Sequence, residues 1–116
     1  MALLVVDGAN VVGSRPDGWW RDRAGAARRL HDRLRDADLG HDVVLVLEGA
    51  ARRGQPAGQD GAVETVHAPG SGDDRIVELV GGHPDAVVVT ADRELGRRVR
   101  SSGATTRGPS WLLEQL

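Results

Sequence analysis

Residues 3–10 read LLVVDGAN, an apolar run of four residues that ends in an acidic residue followed by glycine. A short, continuous apolar run with turn residues after it is typical of a strand buried on both faces of a parallel sheet. Asp7 would then lie at the carboxyl end of that strand. Because open α/β folds bind ligands outside the carboxyl ends of their strands, this stretch predicts both a fold class and the position of a site.

Two further acidic motifs occupy similar places in the predicted structure. Residues 72–79 read GDDRIVEL, with Asp73 and Asp74 at the start of a predicted helix. Residues 87–95 read VVVTADREL, with Asp92 just after a predicted strand. Carboxylates brought together at one edge of a sheet repel one another unless a cation lies between them. The simplest account of the whole set is a Mg²⁺ or Mn²⁺ site of the kind that cleaves phosphodiester bonds.

Strands and helices alternate along the chain, which predicts one α/β domain over residues 1–116 with a parallel sheet and right-handed crossovers. Residues 8–18 are predicted to form a loop, and residues 50–61 a loop or a short broken helix. The expected helices cover about residues 20–37, residues 71–80 with Ser71 or Asp73 as N-cap, residues 92–100, and a last turn from Pro109. The expected strands cover residues 2–6, 43–47, 62–67, 86–90 and 104–106.

Composition excludes several classes of protein. The chain has no Cys, which excludes disulfides, thiolate chemistry and Cys-based zinc sites. All 15 basic residues are Arg, and the absence of Lys excludes a Walker-type phosphate loop and Schiff-base enzymes. The formal net charge of −2 is not typical of a protein that coats nucleic acid.

No segment of the sequence predicts export or membrane insertion. The first residues lack the basic region of a signal peptide. No run approaches the roughly 20 apolar residues of a membrane span. We therefore expect a cytoplasmic protein with no membrane contact.

Each acidic residue also has a purely structural interpretation. Asp7 and Asp92 can cap a turn or a helix, and paired Asp residues at a helix start are favoured by about 0.3–1 kcal/mol each. However, one carboxylate is enough for a cap, and every cap would have to be acidic on the same rim of the sheet. We therefore interpret the set as a functional site. The four His residues lack metal-ligand spacing and are interpreted as surface residues: His31, His41, His67 and His83.

At these residues the chain resembles the NYN-domain branch of the PIN-like ribonucleases over nearly its whole length. Residues 6–11 (VDGANV), 72–77 (GDDRIV) and 88–93 (VVTADR) are similar to that family's three acidic motifs, in the same order. The resemblance implies a PIN-like (Rossmann-like) domain with a five-stranded sheet of order 3-2-1-4-5, flanked by helices. It also implies metal-dependent RNA cleavage, with Mg²⁺ or Mn²⁺ as cofactor. The residues that it implies around the metal are Asp7, Asp73, Asp74 and Asp92, with Asn10 beside them.

Glu48 stands at the end of the second predicted strand, where relatives often have Asp. The sequence leaves open whether Glu48 is a peripheral member of the acidic cluster or has no part in it.

Because an acidic site repels nucleic acid, RNA binding is expected to depend on Arg residues around the rim. Trp19 and Trp20 could stack unpaired bases at about 1–3 kcal/mol each, or one of them could instead pack under the following helix. The candidates for substrate binding are Trp19, Trp20, Arg21, Arg75 and Arg93, with Arg15, Arg23, Arg52, Arg53, Arg97 and Arg98 as further cations. A second group, interpreted as a solvated helix face, comprises Arg28, Arg29, Arg33 and Arg35.

The leading hypothesis is a small metal-dependent ribonuclease, with endonuclease and exonuclease action both left open. The alternative is a non-catalytic PIN-like module that binds RNA or a nucleotide. A receiver-like phosphoacceptor domain would need a Lys across the site, and the chain has none. RNA is the expected partner, while a homodimer, an antitoxin and an RNA-processing protein are all left open as protein partners.

Overall fold

The computed structural model describes residues 3–116 as alternating strands and helices. Ala2, the expected first residue of the first strand, lies outside the described residues. Short segments of 3₁₀ helix, which we call 3₁₀ turns, occur at Trp19–Arg21 and Gly49–Gly54. The strands are β1 (Leu3–Asp7), β2 (Asp42–Leu47), β3 (Gly58–Asp60), β4 (Val63–His67), β5 (Val87–Val89) and β6 (Thr105–Arg107). The helices are α1 (Gly8–Gly13), α2 (Arg23–Asp36), α3 (Gly72–Val80), α4 (Arg93–Arg100) and α5 (Pro109–Leu113).

The sheet differs from the implied one in both strand count and order. It has six strands in the order β3-β4-β2-β1-β5-β6 and is mixed, because β3 runs antiparallel to β4 while the other pairs are parallel. The extra strand forms because the chain reverses at Gly61, whose φ of +61° suits glycine, and pairs Gly58–Asp60 with β4. β1 lies between β2 and β5, so the carboxyl ends of these three strands are neighbours.

Apolar side chains alternate between the two faces of the sheet and form a core on each. In β1, Leu4 and Val6 belong to one core and Val5 to the other. The first core also takes residues from α1, α2 and α5: Val11, Ala27, Leu30, Leu34 and Leu112. The second takes residues from α3 and α4: Ile76, Val80, Leu95 and Val99. These helices fix the loops that carry the acidic residues.

The loop predicted over residues 8–18 is wrong in its first part, because α1 covers Gly8–Gly13. Asp7 caps this short helix by accepting a hydrogen bond from the backbone N–H of Asn10. Gly8 is needed at the crossing, since a Cβ there would lie 2.6 Å from the carbonyl oxygen of Val46. Packing of Val11 against the first core therefore outweighs the poor helix propensity of glycine and β-branched residues.

The interpretation of the four His residues as surface residues is wrong for His31. His31 is only 1% exposed, because it lies on the inner side of α2 next to Leu30 and Leu34. Its Nδ1 lies 2.9 Å from Oδ1 of Asp32, and its Nε2 lies 3.5 Å from a carboxylate oxygen of Asp60. The edge strand β3 brings Asp60 to this position, and the sequence pattern did not predict that strand.

Among residues 3–116, the structure has no helix that is both long enough and apolar enough to cross a membrane.

Candidate active site

The candidate site is formed where β1 and β5 end side by side. Asp7 is the last residue of β1 and is only 4% exposed. Its Oδ2 accepts a hydrogen bond of 2.9 Å from the hydroxyl of Thr90, which follows β5. The same hydroxyl accepts the backbone N–H of Asp92 at 3.1 Å. One threonine therefore joins the first and third acidic motifs.

Asn10 makes a second connection between the same two motifs. Its Oδ1 accepts a hydrogen bond of 2.7 Å from the backbone N–H of Ala91. Asp92 is the N-cap of α4, since its Oδ1 accepts the N–H of Leu95 at 3.1 Å. The Asn10 amide is thus used to hold the loop after β5 in place, and Asp92 retains a second carboxylate oxygen for other partners.

The electrostatics of Asp7 reflect its burial among other acids. The pKa of Asp7 is raised from 3.8 to about 6, mainly by burial and to a smaller extent by the charges of Asp73 and Glu48. The hydrogen bonds from Thr90 and Asn10 act against this by stabilising the carboxylate. Without a cation nearby, Asp7 is therefore a strained anion at neutral pH.

Asp73 belongs to the same electrostatic cluster. It lies in the first turn of α3, which Ser71 caps by accepting the N–H of Asp73 at 3.1 Å. Partial burial raises the pKa of Asp73, and the charges of Asp92 and Glu48 add to the effect. The pKa of Asp73 therefore depends on the charges of both Asp92, which follows β5, and Glu48, which follows β2.

Glu48 lies close to the start of α3, so the question that the sequence left open about this residue has a structural answer. An added Cβ at Gly72 would lie only 3.0 Å from Oε1 of Glu48, so glycine at this position lets the carboxylate approach. Glu48 precedes the 3₁₀ turn Gly49–Gly54 but makes no capping hydrogen bond to it with its side chain. Its carboxylate acts on both Asp7 and Asp73.

Asp74 stands apart from the other acidic residues. Its side chain is 69% exposed and forms an ion pair of 3.0 Å with Arg98 of α4. Its charge is the last and smallest contribution to the raised pKa of Asp73. The structure thus brings together Asp7, Glu48, Asp73 and Asp92, which we call the acidic cluster, and directs Asp74 towards Arg98.

The acidic cluster has the chemistry of a hard-cation site, although its side chains are not drawn together around one point. Within the described part of the chain, no three or more His, Asp or Glu side chains are arranged as ligands of one metal ion. Mg²⁺ commonly binds one or two carboxylates and keeps several waters, so it does not need all four carboxylates to converge on one point. The raised pKa values of Asp7 and Asp73 also fit, since a cation would relieve the repulsion that helps to raise them.

The aromatic and basic residues expected to bind substrate differ in their surroundings. Trp20 is 52% exposed, whereas Trp19 is half-buried, and their rings meet edge to face at 5.9 Å. Arg21 lies 5.9 Å from the centre of the Trp20 ring, and Arg23 lies 4.8 Å from that of Trp19. Beside the other motifs, Arg75 lies 3.7 Å from Glu78, and Arg93 is an exposed first residue of α4.

Comparison with known proteins identifies the fold but not the family. No protein-family model matches the chain, and no curated protein matches it in sequence. Among solved structures, the chain is similar to Rae1 (YacP) from Bacillus subtilis, with a TM-score of 0.69 and 20% sequence identity over 98% of this chain and 72% of that one. A mutant of Rae1 matches with the same TM-score and identity, over 74% of its chain. The chain therefore shares the α/β fold of Rae1.

Proposed function

We propose that this protein is a metal-dependent ribonuclease that hydrolyses RNA phosphodiester bonds at the acidic cluster. The observation that carries the proposal is the position of Asp7 and its raised pKa. It is buried at the carboxyl end of the central strand, its pKa is raised to about 6, and the charges of Asp73 and Glu48 act on it. Such strongly perturbed acids in a ligand-binding region of the fold are typical of functional sites.

The acidic residues have separate roles in this proposal. Asp7, Asp73 and Asp92 hold Mg²⁺ or Mn²⁺, and Glu48 adds a fourth carboxylate at the edge of the cluster. The bound cation supplies charge neutralisation at a phosphoryl oxygen and a coordinated water of lowered pKa. Thr90 and Asn10 are positioning residues, because their hydrogen bonds fix Asp7 and the loop that carries Asp92.

Binding of RNA to an acidic cluster requires cations nearby, because phosphates and carboxylates repel one another. Arg93 follows Asp92 directly, and Arg75 follows the Asp73–Asp74 pair in α3. Arg21 lies beside the exposed Trp20. We assign phosphate contacts to these three residues and stacking of unpaired bases to the two Trp residues.

The test is cleavage of labelled single-stranded and structured RNA by the purified protein in Mn²⁺, Mg²⁺ or EDTA. We expect cleavage with the metals and none in EDTA, and we expect Asp7→Asn and Asp92→Asn to abolish it. Asp85→Asn is the matched control, because Asp85 is exposed and precedes β5, at the opposite rim of the sheet.

Two results would decide against the proposal. If Asp7→Asn still cleaves RNA, the acidic cluster does not catalyse the reaction. Tight RNA binding without cleavage in either metal would favour the alternative, a PIN-like module that binds RNA or a nucleotide without cutting it.

A further inference from the structure

A cleft beside the acidic cluster shows where a base could bind at Trp19, to which the proposed function gives only a general stacking role. It has a volume of about 510 Å³, and we call it the Trp19 cleft. That size is in the range of sites that hold small molecules. It is open because small residues line it on two sides, Gly8 and Ala9 from α1 and Gly49 and Ala50 from the 3₁₀ turn after β2. The wall also contains three larger side chains that can recognise a ligand, those of Trp19, Arg23 and Glu48.

We propose that the Trp19 cleft receives an unpaired nucleobase of the RNA, from the nucleotide next to the phosphate at the acidic cluster. This inference rests on the proposed ribonuclease function. Gly8 follows Asp7 directly in the chain, and Glu48 belongs to both the acidic cluster and the cleft wall. A nucleotide with its phosphate at the cluster therefore has its base within reach of the cleft.

The wall of the cleft has the chemistry of a base-binding site. The guanidinium of Arg23 lies 4.8 Å from the centre of the Trp19 ring, and the two form a cation–π pair. Unpaired RNA bases stack on aromatic rings and on guanidinium planes. Arg23 offers only hydrogen-bond donors and Glu48 offers acceptors, while Val12 and Leu47 supply an apolar floor. A base, with an apolar face and an edge of donors and acceptors, matches this combination.

A second, positively charged groove lies next to the Trp19 cleft, on the other side of the 3₁₀ turn Gly49–Gly54. This groove has a volume of about 510 Å³ and shares Gly49 and Ala50 with the Trp19 cleft. Its remaining lining residues are Arg52, Arg53 and His67, and none of them is acidic. Such a groove suits a phosphate of the adjoining nucleotide. The occupant that fits the two neighbouring sites is thus a single-stranded RNA segment.

The experiment compares a short oligoadenylate with an abasic ribose–phosphate oligomer of the same length. Both are titrated into an Asp7→Asn protein that also carries Trp20→Phe and Trp111→Phe, so that Trp19 is the one remaining Trp of three. We expect oligoadenylate to change Trp19 fluorescence and to bind about tenfold more tightly than the abasic oligomer, as for one stacked base. Equal affinities with no fluorescence change would overturn the inference.

Filling the cleft from either wall provides a second test. Ala9→Leu and Ala50→Leu should each weaken oligoadenylate binding about tenfold and leave the affinity for the abasic oligomer unchanged. Ala57→Leu is the matched control, since Ala57 is exposed and is not part of the cleft wall. Thermal melting checks that each variant is folded. An equal loss in Ala57→Leu, or no loss in the two cleft variants, would refute the assignment.

Cleavage assays separate this inference from the proposed function. If the wild-type protein cuts RNA and both cleft variants bind and cut normally, the ribonuclease proposal stands and the base site is wrong. If oligoadenylate enters the cleft but no metal supports cleavage, the base site stands and the ribonuclease proposal is wrong.

Discussion

The substitution Asp7→Asn should stabilise the protein at neutral pH in EDTA while it removes the proposed activity. The pKa of Asp7 is 3.8 in an unfolded chain and about 6 in the folded one. Between these values the folded state binds more protons than the unfolded state, so the free energy of unfolding falls as the pH rises. The stabilising contribution of protonated Asp7 is complete below pH 4 and is lost as the pH passes through about 6.

The size of this effect follows from the difference between the two pKa values. Raising a pKa from 3.8 to about 6 corresponds to about 3 kcal/mol at pH 7. The amide would satisfy one of the two hydrogen-bond donors that Asp7 accepts, from Asn10 and Thr90, and the loss of the other costs about 1 kcal/mol. Asp7→Asn should therefore raise the free energy of unfolding by about 2 kcal/mol at pH 7 and lower it slightly at pH 4.

The measurement is urea denaturation in EDTA at a series of pH values for the wild-type protein, Asp7→Asn and Asp85→Asn. The quantity that matters is the difference between wild type and variant, because the titration of all other groups then cancels to first order. A difference that does not change between pH 4 and pH 7 would refute the assignment of a raised pKa to Asp7. If Mg²⁺ or Mn²⁺ is then added, the wild type should gain stability, by about 2.7 kcal/mol at one hundred times the dissociation constant, and Asp7→Asn should not.

Three further substitutions test individual contacts of the site. Gly8→Ala should cost about 1–3 kcal/mol in urea denaturation, because its Cβ would press on the carbonyl oxygen of Val46, and an unchanged midpoint would show that the backbone there is free to move. Thr90→Val removes the hydroxyl between Asp7 and the N–H of Asp92, so it should lower the free energy of unfolding by about 1–3 kcal/mol. It should also raise the pKa of Asp7 further, so that stability is lost at a higher pH than in the control Thr90→Ser. Asp74→Asn should change the free energy of unfolding by less than about 1 kcal/mol and keep most RNA cleavage, because Asp74 is paired with Arg98 at the surface. Asp73→Asn should lose cleavage, and an equal loss in both variants would place both carboxylates at the metal.

The parts of the fold that the sequence predicted are those where one local signal dominates. The apolar runs in β1, β2 and β5 are buried in both cores, and β-branched residues in short runs have few alternatives to a strand. Ser71 and Asp92 are N-caps as their side chains suggested, since a short oxygen acceptor before a helix satisfies a free N–H group. In such segments local preference and tertiary packing agree.

The segments that sequence patterns missed depend on contacts between distant parts of the chain. Helix α1 begins and ends with glycine, and β3 consists of Gly58, Gln59 and Asp60, so neither has a favourable intrinsic propensity. Helix α1 is held by Asp7 and the first core, and β3 is held by pairing with β4. The Trp19 cleft could not be foreseen, because two of its sides are formed by α1 and by the turn after β2.

Thr90 and Glu48 belong to the candidate site, and the sequence held signals for both that the spacing of the Asp residues did not include. Thr90 follows the Val run of β5 two residues before Asp92, and its hydroxyl links the first and third acidic motifs. Glu48 directly follows β2, and Asp7 is the last residue of β1, so the rule that made Asp7 a candidate also applied to Glu48. The raised pKa of Asp73 needed the structure, because its causes lie on three different elements.

The hydrogen bonds that close the site have a consequence for how the chain folds. Asn10 and Ala91 are 81 positions apart in the sequence, and Asp7 and Thr90 are 83 apart. Contacts over such separations require large loops to close, so we expect them to form late, after β1 and β5 have paired. We therefore expect the cost of burying Asp7 beside other carboxylates to arise only when the native state is nearly complete. Asp7→Asn should consequently slow unfolding while the folding rate stays nearly constant, so that the site sets how long each molecule stays folded rather than how fast it folds.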